Sequence, residues 1–279
     1  MEDIKTLEQK ALDLRRVIFK TICNGGGGHI PASFSIVEIL TVLYYRIMNI
    51  SADNMNDIDR DRFILSKGHA GVALYAVLAD KGFFHKHHLD TFGKKGTILG
   101  GHPDMYKVPG VEASTGALGH GFPFGVGMSL AGKMDGRSYR VFVVIGDGEC
   151  QEGSVWEAAL FAPKHNLDNL TVIVDYNKLQ AMDRLDEIIP LEPFADKWRA
   201  FGWEVREVDG HNIGELLKVF NLLPFKRGRP SLIIAHTIKG KGISFMEGIP
   251  IWHYRMPNPD EMQQACKELG LKVVDGVIQ

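Results

Sequence analysis

Two residues able to share a metal ion stand at Asp147, within Gly146-Asp147-Gly148-Glu149, and at Asn177, within Asp175-Tyr176-Asn177. Mg²⁺ takes about six oxygens in a rigid octahedron and usually draws only one or two of them from the protein, leaving the rest to phosphate and water. One carboxylate and one amide oxygen meet that need. Gly146 and Gly148 let the backbone turn sharply and approach a phosphate without an intervening side chain. The bland alternative is an Asp in a tight turn beside an unrelated loop Asn. Two further sets, Ser66-Lys67-Gly68-His69 and Thr237-Ile238-Lys239-Gly240, offer hydroxyl, cationic and imidazole groups. A single set means little, because Gly and Asp are common in turns, but four sets that converge define a site.

Convergence requires a scaffold. Short apolar runs precede the four sets: Phe63 to Leu65, Val141 to Ile145, Thr171 to Val174 and Leu232 to Ala235, with Glu204 to Val208 as a fifth run. Continuous apolar runs of this kind read as strands buried on both faces. Helical spacing connects them over Gly71 to Ala79, Phe124 to Lys133, Ser154 to His165 and Ile213 to Phe220. This alternation predicts an α/β fold, an open, mostly parallel sheet with helices on both faces, whose ligands sit beyond the carboxyl ends of the strands. At the amino end Ile4, Leu7, Ala11, Leu14, Ile18 and Ile22 form an amphipathic helix stopped by Gly25 to Gly28. Ser35 with Glu38, and Ser154 with Glu157, have the spacing of capping boxes, the first opening a helix that runs through Ile47. Asn258, Pro259, Asp260 and Glu261 open a last helix that Gly270 closes. With no linker or repeat, residues 1–279 read as one domain.

Composition narrows the class. Of 279 residues, 45% are hydrophobic, and 32 basic against 34 acidic side chains give a net charge of −2, so no basic arm exists for nucleic acid. Three scattered cysteines (Cys23, Cys150, Cys266) suit neither a disulfide framework nor a zinc cage and fit a reducing compartment. No apolar run approaches the roughly 20 residues that span a bilayer, and Met1-Glu2-Asp3 does not begin a signal peptide. The expected setting is cytoplasmic.

Gly146-Asp147-Gly148, followed after 28 residues by Asn177, is similar to the thiamine-diphosphate signature that begins Gly-Asp-Gly and ends in Asn. Asp61 to Ala70, Gly101-His102-Pro103, Thr115 to Gly119, Gly146 to Trp156 and Leu170 to Gln180 resemble transketolase segments in order and spacing, across nearly the whole chain. The resemblance implies the diphosphate-binding type of thiamine-diphosphate fold. It assigns Mg²⁺, with Ca²⁺ or Mn²⁺ able to stand in, to Asp147, Asn177 and the carbonyl of Leu179. It assigns the cofactor to His69, Gly116, Leu118, Gly146, Gly148, Glu149, Lys239 and His253. His29, His69, His102 and His253 would handle substrate hydroxyls and protons, and Glu152 would lie at a subunit contact. Gly28 to Ser33 departs from the family's usual Gly-His-Pro-Gly.

Full-length transketolases continue into a pyrimidine-binding domain, which carries the glutamate that activates the cofactor, and into a third domain. The resemblance therefore implies an amino-terminal subunit that works with a separate C-terminal subunit carrying the pyrimidine-binding domain, as two of each. The reaction would pass a two-carbon glycolaldehyde unit from a ketose phosphate to an aldose phosphate. Trp156, Phe161, Phe122 and Phe124 are candidates either for that interface or for the core. The alternatives are a transketolase-like enzyme for apulose phosphate or a sulfosugar, a deoxyxylulose-phosphate synthase fragment, a 2-oxo acid dehydrogenase α chain, and, outside the class, a non-catalytic module. A nicotinamide enzyme is disfavoured because Gly25 to Gly28 follows a helix rather than a strand. His85, His87 and His88 read as a solvated loop, His120 as a local variation and Cys150 as a packed residue.

Overall fold

The computed structural model describes residues 2–274 and 276–279. Five parallel strands, β1 (Arg62–Leu65), β2 (Val141–Gly146), β3 (Leu170–Tyr176), β4 (Glu204–Asp209) and β5 (Ser231–His236), form one sheet in the order β1-β2-β3-β5-β4. Every residue of β2 and β3 is buried, because helices cover both faces and an alternating polar pattern would have nowhere to go.

On one face lie α1 (Glu2–Gly25), α2 (Ile30–Phe34), α3 (Val37–Val42) and α4 (Gly71–Asp80). The stripe Leu7, Ala11, Leu14, Ile18 and Ile22 of α1 enters their shared core. α5 (Gly121–Met134), α6 (Gly153–Lys164), α7 (Leu185–Ile188) and α8 (Phe194–Ala200) follow, with Phe122, Trp198 and Trp203 packed in a second core on the opposite face. Their ring centroids lie 5.1–6.0 Å apart, within the range at which aromatic pairs attract. α9 (Ile213–Phe220) and α10 (Pro259–Leu269) return to the first core, and a small antiparallel pair, β6 (Val273–Val274) and β7 (Val277–Ile278), lies near the carboxyl end. No described helix is long and apolar enough to cross a membrane.

The α10 cap forms as expected, with the Asn258 side chain accepting from the Glu261 N–H, the reciprocal bond present, and Gly270 left-handed. The other two capping boxes do not form. The chain breaks between α2 and α3, then widens into a π turn over Leu43–Ile47. Ser35 instead donates to Asp175 at 2.7 Å, and Glu38 pairs with Arg15 and His211. Likewise α6 starts at Gly153, and Ser154 donates to the carbonyl of Gly119 at 2.7 Å. In each case the hydroxyl donates to a partner distant in sequence, and neither serine occupies the N-cap position.

The four aromatic candidates separate. Phe122 is fully buried, a burial worth about 1.5–3 kcal/mol, and Trp156 packs half-buried against Phe194, Trp198 and Phe201. Phe124 and Phe161 are exposed, together with Leu160.

Candidate functional site

All four polar sets do sit at the carboxyl ends of their strands. Register places Gly146 opposite Asp175 and Tyr176 opposite His236, so Asp147, Asn177 and the segment after β5 open onto one cavity of about 260 Å³. Its lining includes His69, Gly116, Leu118, Gly146, Asp147, Gly148, Glu149, Asn177, Leu179, Lys239 and His253.

Asp147 is 2% exposed, and among the described residues its carboxylate accepts only from backbone N–H groups, those of Gly148 at 2.7 Å and of Lys178. Burial, and next the neighbouring Asp175 charge, push its pKa up to about 7. A bound cation would favour the ionised form of such a carboxylate. Asn177 is oriented at both ends: its Nδ2 donates to Asp175 and its Oδ1 accepts from the Leu179 N–H, each at 3.0 Å. Between them Lys178 adopts φ 63°, a left-handed conformation uncommon for a side chain of this kind, and so turns its N–H toward Asp147. A carboxylate, an amide oxygen and the Leu179 carbonyl thus border one cavity, a set of hard oxygens suited to Mg²⁺.

Packing disfavours a side chain at 148: a Cβ there would lie 2.9 Å from Cγ of Gln180, whose buried Nε2 has no partner among the described residues. An unpaired buried donor on the wall of a cavity suits an anionic ligand. Gly119, at φ +78°, has no room either, since a Cβ would meet that of Glu152 at 2.7 Å. Glu149 lines the cavity, but both of its oxygens are taken: it accepts from Gly119 and Gly146 N–H groups at 2.9 and 3.0 Å and from Ser66 Oγ. It ties three loops together. Glu152 is exposed beside them.

Two buried lysines border the same cavity. Lys67, 1% exposed, pairs with the fully buried Asp175, which also accepts from Ser35 and Thr237. Lys239, 3% exposed, donates to the carbonyls of Leu179 and Gln180, both at 3.1 Å, and lies 2.9 Å from Nδ1 of His253. Burial, then repulsion from Lys67, brings Lys239 down to about 8.

His29 centres four rings, with His69 at 5.2 Å, His253 at 5.0 Å, Tyr254 at 4.8 Å and His102 at 6.4 Å. Burial, followed by repulsion among these rings and the two lysines, lowers His29 to about 4 and His253 to about 3, and lowers His69 as well. They are neutral imidazoles at pH 7, each with one donor and one acceptor nitrogen, which suits hydroxyl binding and proton transfer. His102 stands at the exposed rim, its ring 3.2 Å from where a Cβ on Gly116 would lie.

Lys67 and Asp175 stood within the strand-end sets without a role of their own, and Gln180 and Tyr254 were given none. Their signal was proximity to strand-end words, but only packing shows which of them face inward. His120 precedes α5 with Nδ1 3.0 Å from the Leu118 carbonyl. Cys150 is fully buried beside the Gly146 carbonyl, and burial holds its thiol well above the ordinary range, so it is a packed residue rather than a nucleophile. His85 and His87 are exposed and His88 is half-buried around a short 3₁₀ turn, Lys86–Thr91, and none of the three is among the residues lining the cavity.

A parallel sheet whose strand ends carry an oxygen set for a divalent cation, two buried lysines and neutral histidines defines a diphosphate-binding α/β protein. Residues 7–276 match the family described as "Transketolase, thiamine diphosphate binding domain", and the chain belongs to that family. It is similar to one of the subunits of the apulose-4-phosphate transketolase of Phocaeicola vulgatus, at 41% identity over 97% of this chain and 96% of that protein. It is also similar to the 6-deoxy-6-sulfo-D-fructose transketolase subunit SqwG of a Clostridium species, at 46% identity over 93% and 94%. The fold superposes on transketolase from Campylobacter jejuni with a TM-score of 0.89 and 29% identity, covering 96% of this chain and 43% of that longer one.

Proposed function

We propose that this chain is the amino-terminal subunit of a two-chain transketolase, which moves a two-carbon glycolaldehyde unit from a ketose phosphate to an aldose phosphate. The observation that carries the reading is that Asp147, Asn177 and Leu179 line one cavity together with His69, His253 and Lys239, whose ammonium donates to the Leu179 carbonyl at 3.1 Å. Asp147, Asn177 and the Leu179 carbonyl would hold Mg²⁺, and Gly148 N–H, His69, Lys239 and His253 would receive the diphosphate. Gly116 and Leu118 would line the ring end of the cofactor. When bound, thiamine diphosphate supplies a stabilised carbanion, and the protein contributes position and proton traffic. His29 and His102 would bind sugar hydroxyls and exchange their protons.

The separate C-terminal subunit would carry the pyrimidine-binding domain, giving an assembly of two chains of each kind in the cytoplasm. Two relatives of nearly the same length as this chain bear subunit names, which supports a separately encoded partner. The exposed Phe124, Leu160 and Phe161, with Glu152, are suited to its interface. Those same two relatives are named for apulose 4-phosphate and sulfofructose, which favours a second reading in which the enzyme uses an unusual sugar.

The test is co-purification of the partner from the native host, followed by assay of the complex with ribose 5-phosphate as acceptor. Xylulose 5-phosphate, apulose 4-phosphate and 6-deoxy-6-sulfofructose would be compared as donors. The expected result is ketol transfer by the complex and none by the chain alone; robust turnover without a partner would overturn the two-chain reading.

A further inference from the structure

Tyr254 has no task in the site just described, yet it is the outermost member of the histidine cluster. Its ring meets that of His29 edge-on, with centroids 4.8 Å apart and planes at 60°, while 59% of the residue remains exposed. The hydroxyl reaches toward Gly27, where a Cβ would lie 3.5 Å away, and has no hydrogen-bond partner among the described residues. This exposed ring does not sit on a loose loop. The nearby Trp252 is 5% exposed and packs on Phe245 at 5.2 Å. The following Arg255 lays its guanidinium 4.0 Å from the Trp252 ring centroid and binds both carboxylate oxygens of Glu261, at 2.8 and 2.9 Å. Tyr254 is therefore fixed between two anchored residues, with much of its ring exposed and its hydroxyl beside Gly27.

The groups are ordered by depth: Asp147 and Lys239 are buried, His69, His253 and His29 are half-buried, and Tyr254 is at the lip. A substrate reacting near the inner histidines would present its distal carbons to Tyr254. An open-chain sugar phosphate offers C–H faces that pack on an aromatic ring and hydroxyls that bond to a phenol. We propose that Tyr254 is a specificity-determining residue, a fixed aromatic wall that binds the distal carbons of the ketose donor and shields His29. The assignment of a sugar to this wall rests on the transketolase reading; the shielding of His29 rests on geometry alone.

The test compares wild type, Tyr254→Phe and Tyr254→Gly, each purified with the native partner, using xylulose 5-phosphate and the three-carbon ketose dihydroxyacetone as donors. Tyr254→Gly is expected to raise KM for xylulose 5-phosphate roughly three- to tenfold, with kcat within about twofold. KM for dihydroxyacetone, thiamine-diphosphate affinity and assembly with the partner should stay unchanged, because none of them uses the wall. Tyr254→Phe should keep most of the wild-type KM. Equal changes for both ketoses, a loss of cofactor affinity or weakened assembly would each overturn the proposal, the last by making Tyr254 a partner contact. A second readout needs no turnover: carbethoxylation of His29 by diethylpyrocarbonate, followed by mass spectrometry, should quicken severalfold in Tyr254→Gly. An unchanged rate refutes the wall, whereas a wild-type complex that turns over no ketose donor, phosphorylated or sulfonated, refutes the transketolase reading and leaves the modification rate to judge the shielding.

Discussion

Replacing Glu38 with Gln tests whether a remote charge cluster holds the loop that carries Lys239. Glu38 is 7% exposed and pairs with Arg15 at 2.6 Å and with His211 Nδ1 at 2.9 Å. Arg15 continues to the Lys241 carbonyl at 2.9 Å, and His211 Nε2 accepts the Ile238 N–H at 2.8 Å, so the segment around Lys239 is gripped on both sides. That acceptance leaves Nδ1–H of the neutral ring to donate to Glu38. Burial pushes the carboxyl up, but the His211 hydrogen bond and the Arg15 charge outweigh it and hold the pKa near 2, against an ordinary 4.5. At about 1.4 kcal/mol per pH unit, that difference is worth about 3 kcal/mol. For a chain of this size it corresponds to roughly 6–12 °C in Tm.

The sign follows from linkage. A carboxyl whose pKa falls on folding stabilises fully above its unfolded value and loses that contribution as pH drops through the folded one. Glu38→Gln should therefore unfold about 3 kcal/mol more easily than wild type at pH 7, and the gap should narrow from pH 4.5 downward. Urea titrations at about pH 7, 5 and 3.5, followed by circular dichroism, read both quantities. A gap below about 1 kcal/mol at neutral pH, the value of an exposed ion pair, would refute the reasoning, as would a gap that does not narrow with pH.

Other substitutions probe the site itself. Lys67→Met leaves the fully buried Asp175 without its cation and should cost about 3–5 kcal/mol in denaturant unfolding, while pairing it with Asp175→Leu should recover part of that loss. Asp147→Ala in the assembled enzyme should abolish Mg²⁺-dependent cofactor binding; unchanged affinity by calorimetry would sink the metal assignment. His102→Ala, at the rim, should lower turnover more than cofactor affinity, and the reverse pattern in steady-state kinetics would move His102 out of the substrate channel.

What the sequence determined by itself was local. The runs that become β1, β2, β3 and β5 announce themselves because strands buried on both faces tolerate only apolar residues, and the small-polar words at their ends are short-range signals. The parallel sheet and the Asp147 and Asn177 pair were legible on those grounds, and the histidines only through likeness to a known family. Tertiary structure decided which partner each polar group takes. Ser35 and Ser154 carry the spacing of helix caps, yet one donates to Asp175 and the other to the Gly119 carbonyl, because the chain around each serine is placed by contacts distant in sequence. Glu38 meets His211 across 173 positions, and Lys67 meets Asp175 across 108, separations at which no periodicity carries information. The same holds for Tyr254, whose place over His29 depends on how Trp252 and Arg255 are anchored: sequence names a tyrosine after a histidine, and only packing turns it into the lip of a site.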